Sequence, residues 1–157
     1  MNRRHCLFSL STDSQTSRLA RALAPHLGAG DTLLLSGDVG AGKTHFARAL
    51  IQSLIAHPED VPSPTFTLVQ VYDSPEGEIW HADLYRLGDP SEVDELGLID
   101  AFEDAICLIE WPDRLGDLRP PNALDIMLEA TDVDACRTLT ATWSDPKWDA
   151  KLAKWNL

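Results

Sequence analysis

The spacing of apolar positions changes several times along the chain, and each change predicts an element. Leu7 to Leu10 is a short apolar run that predicts a strand. Ser11 to Ser14 then carries N-cap chemistry, and Leu19, Ala20, Leu23 and Leu27 recur at helical spacing until Gly28 and Gly30. Thr32 to Leu35 is apolar at every central position, as expected of a strand covered on both faces. A second helix is predicted from Lys43 to about Ile55. It carries Phe46, Ala47, Leu50, Ile51 and Leu54 on one face, with Pro58 beyond its end.

The second half reads differently. PSPTFT, Pro62 to Thr67, is a stiff extended loop, because Pro64 and the residue before it are both restricted. LVQVYD and EIWHAD read as strands. The SPEG between them has proline and glycine where a type I turn favours them, so an antiparallel hairpin is predicted. LGDPSEVDELGL is acidic and helix-capable, with Asp89 as a cap before Pro90. AICLIEW is the second strongly buried strand, WPDRLGDLRPPN a loop with a helical turn, and ALDIMLEA and ACRTLTATW two closing strands. PKWDAKLAKWNL predicts a short amphipathic helix, with Trp143, Trp148 and Trp155 as packing residues. With no repeat or linker in this pattern, residues 1–157 are expected to form a single α/β domain.

Composition narrows the partners. The 157 residues carry a formal net charge of −12, which argues against unaided binding to nucleic acid or to an anionic membrane surface. Cys6, Cys107 and Cys136 are odd in number and widely spaced, so neither a disulfide framework nor a zinc site is expected. No apolar run approaches the ~20 residues that span a bilayer, and the basic-then-apolar MNRRHCLFSLS is too short for a signal peptide. A cytoplasmic location is expected.

One segment carries explicit chemistry. Gly37-Asp38-Val39-Gly40-Ala41-Gly42-Lys43-Thr44 matches GxxxxGK[ST], the P-loop. Glycines let backbone N–H groups converge on phosphate without Cβ atoms in the way, and the following helix presents free N–H donors and partial positive charge. Lys43 would reach the β- and γ-phosphates, and the Thr44 hydroxyl would bind Mg²⁺. A chance match in a chain this long has a probability of roughly half a per cent, and the buried strand before the motif and helix after it lower that further.

Hydrolysis also needs an acid near the metal and a group to position water. Glu110 ends the only later run as apolar as the P-loop strand, which makes it the first choice for Mg²⁺. Asp83, ending the hairpin's second strand, is the competitor, as general base, holder of a metal-bound water, or partner of Arg86. Thr65 and Thr67 follow the P-loop helix, where a Ser or Thr often senses the γ-phosphate, although turn-capping is an equal reading. Trp111 reads first as a core residue. His45 and His81 have no ligand spacing and are read as non-metal histidines. The guanine-reading Asn-Lys-x-Asp is missing, which favours ATP over GTP. Arg86, Arg114, Arg119 and Arg137 are scattered and form no arginine-rich lid, which counts against a small-molecule kinase.

Four segments in order, GDVGAGKT, SPTFTLV, HADLYR and CLIEWPDRL, resemble the TsaE family, the small bacterial ATPases needed for threonylcarbamoyladenosine modification of tRNA. The resemblance covers about Leu33 to Leu115. It implies a P-loop NTPase-like fold with a mixed β-sheet flanked by helices, ATP and Mg²⁺ as cofactors, weak activity alone, and action with TsaB and TsaD at position 37 of tRNA. Carried over by motif, Gly37 to Thr44 together with Thr65 and Trp111 surround the nucleotide, Thr44 and Glu110 hold the metal, and Lys43, Asp83 and Glu110 serve catalysis. His45 departs from the Thr or Ser that the family commonly has there. Two further readings stay in play: a nucleotide-gated assembly module with incidental hydrolysis, and a small-molecule kinase. The acidic stretch Asp89 to Glu95 is either a partner surface or a solvated helix face.

Overall fold

A computed structural model describes residues 3–57, 59–133 and 136–157. The strands are β1 (Arg4–Leu10), β2 (Thr32–Ser36), β3 (Val69–Ser74), β4 (Gly77–Asp83), β5 (Ile106–Glu110), β6 (Leu124–Ala130) and β7 (Arg137–Trp143). They form one mixed sheet in the order β1-β7-β6-β2-β5-β4-β3. The helices are α1 (Asp13–Leu23), α2 (Lys43–Leu54), α3 (Glu92–Glu95), α4 (Leu98–Asp104) and α5 (Lys147–Lys151), and 3-10 turns cover Ala24–His26 and Pro112–Leu118.

β2 lies between β5 and β6 and runs parallel to both, and β5 runs parallel to β4. Helices cover both faces, which is why β2 and β5 read as unbroken apolar runs. Alternation splits those runs cleanly. Leu33, Leu35, Ile106 and Leu108 pack with α1 and α2, whereas Leu34, Cys107 and Ile109 face the opposite layer with Val93, Leu98 and Ala101.

Several boundaries differ from the expectations. β1 begins three residues early, at Arg4, because pairing with β7 supplies hydrogen bonds that its polar residues need. α1 ends at Leu23, before the glycines, where Pro25 tightens the chain into a 3-10 turn. Its start is a variant of the capping box: Thr12 Oγ1, at the N-cap, accepts from the Gln15 N–H at 3.1 Å, and Gln15 Oε1 accepts from the N–H of Ser11, one residue before the cap, at 2.7 Å. The acidic segment is helical over Glu92–Glu95, with Asp89 accepting from the Ser91 N–H ahead of it, and Gly97 (φ 84°) separates it from a further helix at Leu98–Asp104. The Pro58 stop lies outside the described residues.

The hairpin forms with Ser74 paired to Gly77 across Pro75-Glu76. The closing helix is only five residues, yet it is firmly tied. Buried Asp31 receives Lys147 at 2.9 Å and Lys151 at 2.8 Å. The indole N–H groups of Trp148 and Trp155 donate to the carbonyls of Asn122 and Leu19, at 2.8 and 2.9 Å.

Candidate nucleotide site

Because β2, β4 and β5 are parallel, their carboxyl ends meet at one edge of the sheet, where open α/β sheets bind ligands. β2 ends into the glycine loop, β5 ends at Glu110, and β4 ends at Asp83, in register with Glu110. A cleft of about 480 Å³ opens over these ends, with Lys43, Thr44, Thr65, Asp83, Glu110 and Trp111 all on its wall.

The loop is shaped by backbone requirements. Gly37, Gly40 and Gly42 have φ of 140°, 82° and 106°, a region closed to most side chains. At Gly37 a Cβ would sit 2.3 Å from the Leu128 carbonyl oxygen, so the loop lies directly on β6. Gly42 is the N-cap of α2, with no side chain over the helix N-terminus. From β7, Arg137 Nε donates to the Ala41 carbonyl at 3.1 Å and its Nη2 to the Gly40 carbonyl at 3.3 Å, pinning the crown of the loop.

Lys43 is 5% exposed, and its ammonium donates to the carbonyls of Gly37 and Asp38. Burial lowers its pKa, and the nearby carboxylates of Glu110, Asp83 and Asp38 act against that fall. It lies 4.2 Å from the centroid of the Trp111 ring, which in turn packs on Tyr85 at 4.8 Å. Trp111 has φ 59°, a left-handed conformation that costs a non-glycine residue about 1–2 kcal/mol. The indole lines the cleft on one side and packs against the second core layer on the other, so part of the core position expected for it is kept.

Thr44 Oγ1 donates to Glu110 Oε1 at 2.8 Å, joining the P-loop to the end of β5. Glu110 is 2% exposed and Asp83 5% exposed. Asp83 Oδ2 accepts from the Thr65 hydroxyl at 3.1 Å and Oδ1 from the Tyr85 N–H at 3.0 Å. Of the three readings of Asp83, the pair with Arg86 is not formed: Arg86 lies 4.5 Å from the Phe66 ring centroid. Thr67 faces away and accepts from Gln70.

This donor set fits a hard divalent cation. Two nearly buried carboxylates share the cleft with one buried ammonium, an excess of negative charge that burial makes costly. The oxygens of Thr44 and Glu110 are 2.8 Å apart, close to the ~2.9 Å edge of an octahedron with metal–oxygen bonds of ~2.0–2.1 Å. The bare N-terminus of α2 and the glycine loop fit phosphate.

A family model described as threonylcarbamoyl adenosine biosynthesis protein TsaE matches residues 10–139. The chain belongs to the TsaE family. A TsaE protein of Rickettsia conorii is 40% identical over 126 residues, 80% of this chain and 72% of its own. That of Bacillus subtilis is 35% identical over 129 residues, 82% of this chain and 79% of its own. The crystal structure of YdiB from Bacillus subtilis superposes with a TM-score of 0.80 at 25% identity, covering 99% of this chain and 96% of that one. A TsaE chain thus places its family segments around one cleft, three of them at adjoining strand ends.

Sequence reasoning missed three side chains of the site. Arg137 is 96 residues from Ala41, and no local pattern links them. His45 Nε2 contacts Ser17 Oγ at 2.7 Å and the Asp13 carbonyl at 3.0 Å, tying α2 to the start of α1. His81 contacts Glu110. A signal for His81 was present, because residues two apart on a strand share a face and Asp83 was already singled out.

Proposed function

We propose that this TsaE protein is a Mg²⁺-dependent ATPase that acts as an accessory subunit in tRNA threonylcarbamoyladenosine formation, together with TsaB- and TsaD-like partners in the cytoplasm. The observation that carries the reading is the 2.8 Å contact between Thr44 and Glu110, which joins phosphate loop and acid in one metal-sized site. The family supplies the pathway, and the geometry supports the chemistry.

Each residue has a role in this reading. The N–H groups of Gly37 to Thr44 cradle the phosphates, with Asp38, Val39, Gly40, Ala41 and Gly42 forming the wall. Lys43, whose ammonium is held at the loop by the Gly37 and Asp38 carbonyls, would donate instead to phosphate oxygens of a bound nucleotide. Thr44 and Glu110 hold Mg²⁺, which when bound neutralises charge on the phosphate oxygens. Asp83 is the proton acceptor. Thr65 occupies its Oδ2, so a γ-phosphate that drew the Thr65 hydroxyl to itself would leave that oxygen free to take a proton from water. Trp111 fixes the position of the Lys43 side chain and closes the cleft on that side.

The test is ADP release by the purified chain, with and without Mg²⁺ and a TsaB–TsaD pair. Mg²⁺-dependent release that rises with the partners and is lost in Asp83→Ala and Glu110→Ala is the expected result. Complete multi-turnover tRNA modification by a variant that cannot hydrolyse ATP would overturn it in favour of nucleotide-gated assembly. ADP formation that depends on a small acceptor would point to a kinase.

A further inference from the structure

His81, on β4, is fully buried, and its Nε2 lies 2.7 Å from Glu110 Oε2. The other carboxylate oxygen of Glu110, Oε1, faces Thr44. Glu110 is therefore gripped at one oxygen and presented at the other. We propose that His81 is a positioning residue that sets the rotation of the Glu110 carboxylate, so that Oε1 and Thr44 Oγ1 meet the metal together. This rests on the reading of Glu110 as the Mg²⁺ ligand.

The second ring nitrogen strengthens the inference. His81 Nδ1 is buried and has no hydrogen-bond partner among the described residues. Nε2 is the ring nitrogen that faces the carboxylate and is placed to donate to it, which leaves Nδ1 without a partner. An apolar side chain at the same place on β4 would avoid that unpaired atom, so packing alone does not account for an imidazole here. The contact to Glu110 does. Partners that orient a metal ligand are commonly worth 10–100-fold in metal affinity or activity.

The experiment compares three variants by calorimetry of ATP binding, with Mg²⁺ and with EDTA, alongside thermal melts. Gln carries a nitrogen the same number of bonds from Cβ as His Nε2, whereas Asn falls one bond short. His81→Gln is expected to keep the Mg²⁺-dependent gain in ATP affinity within about threefold. His81→Asn is expected to lose at least tenfold of that gain, with affinity in EDTA unchanged. A His81→Asn protein that keeps the gain, or loses affinity equally in EDTA, overturns the inference. Glu110→Ala separates it from the reading beneath: if that variant retains the gain, Glu110 is not the ligand and both fail. Should His81→Asn not fold, the parent protein decides. Labelled-histidine NMR must show the His81 proton on Nε2, and a proton on Nδ1 with bare Nε2 overturns the proposal.

Discussion

Gly37→Ala is the most demanding substitution that the glycine loop offers. The new methyl would lie 2.3 Å from the Leu128 carbonyl oxygen, and the neighbouring Ala41 Cβ is already 3.1 Å away. Carbon and carbonyl oxygen meet comfortably at ~3.3 Å, so the loop or β6 must retreat by about 1 Å. Neither gives easily, because β6 is paired on both sides, to β2 and to β7. Overpacking of this kind costs about 1–3 kcal/mol, and a positive φ of 140° adds about 1 kcal/mol. A total of about 2–4 kcal/mol lowers the melting temperature of a chain this size by about 5–15 °C. Gly40→Ala is the matched control. It shares the positive φ, at 82°, but its Cβ meets nothing within 4 Å, so only the backbone strain of about 1 kcal/mol applies. The assay is thermal and urea unfolding of both variants, followed by ATP calorimetry. Gly37→Ala should be the less stable by at least 1 kcal/mol and should bind ATP at least tenfold more weakly than the parent, since the Gly37 carbonyl and Lys43 move together. Equal stabilities for the two variants would refute the argument that the loop is seated on β6.

Thr65→Val removes the hydroxyl on Asp83 Oδ2. It is expected to leave ATP affinity within about twofold while lowering kcat about 10–100-fold, read by calorimetry and steady-state ADP release. Asp31→Asn breaks the clamp on the closing helix and should cost roughly 2–3 kcal/mol in urea unfolding at neutral pH, less than a fully buried pair because both lysines are partly exposed. Burial alone would raise the Asp31 carboxyl, but Lys151, Lys147 and the Gly28 N–H outweigh it and hold it below the usual value. Its contribution is therefore complete above the unfolded carboxyl pKa and lost as pH falls through the lower folded one, so parent and Asp31→Asn should converge in stability in acid. Burial pushes the Cys107 thiol up to about 12. Alkylation at pH 8 with mass-spectrometric readout should leave Cys107 unmodified until the chain unfolds.

How far the sequence foretold this site depended on whether the information was local. The β2–loop–α2 unit was legible because strand, glycines and helix are adjacent and each follows its own period. The end of β5 was legible too, since a fully buried run that finishes on Glu110 has few other meanings. Pairing of β1 with β7 was not, as the partners are more than 120 residues apart and β1 carries Arg4, His5 and Ser9 among its apolar residues. The acidic stretch was legible as helix-capable and α3 lies in it, whereas α4, which starts where the stretch ends, follows Gly97 at φ 84° and carries no such local signal. Arg137 and His81 act on residues far along the chain, and their partners appear only once strands are in register. Trp111 read as a core residue and packs there in part, but its left-handed backbone, which also sets the indole on the cleft wall, is invisible in sequence.

The central claim is that Thr44 and Glu110 together hold the Mg²⁺ of a bound ATP. A crystal structure with Mg²⁺ and a non-hydrolysable ATP analogue tests it most directly. The account predicts phosphates against the N–H groups of Gly37 to Thr44, the metal on Thr44 Oγ1, and Glu110 directed at it, with Asp83 facing the attacking water. A metal held by Asp83 with Glu110 turned away, or a nucleotide bound outside the glycine loop, would contradict it.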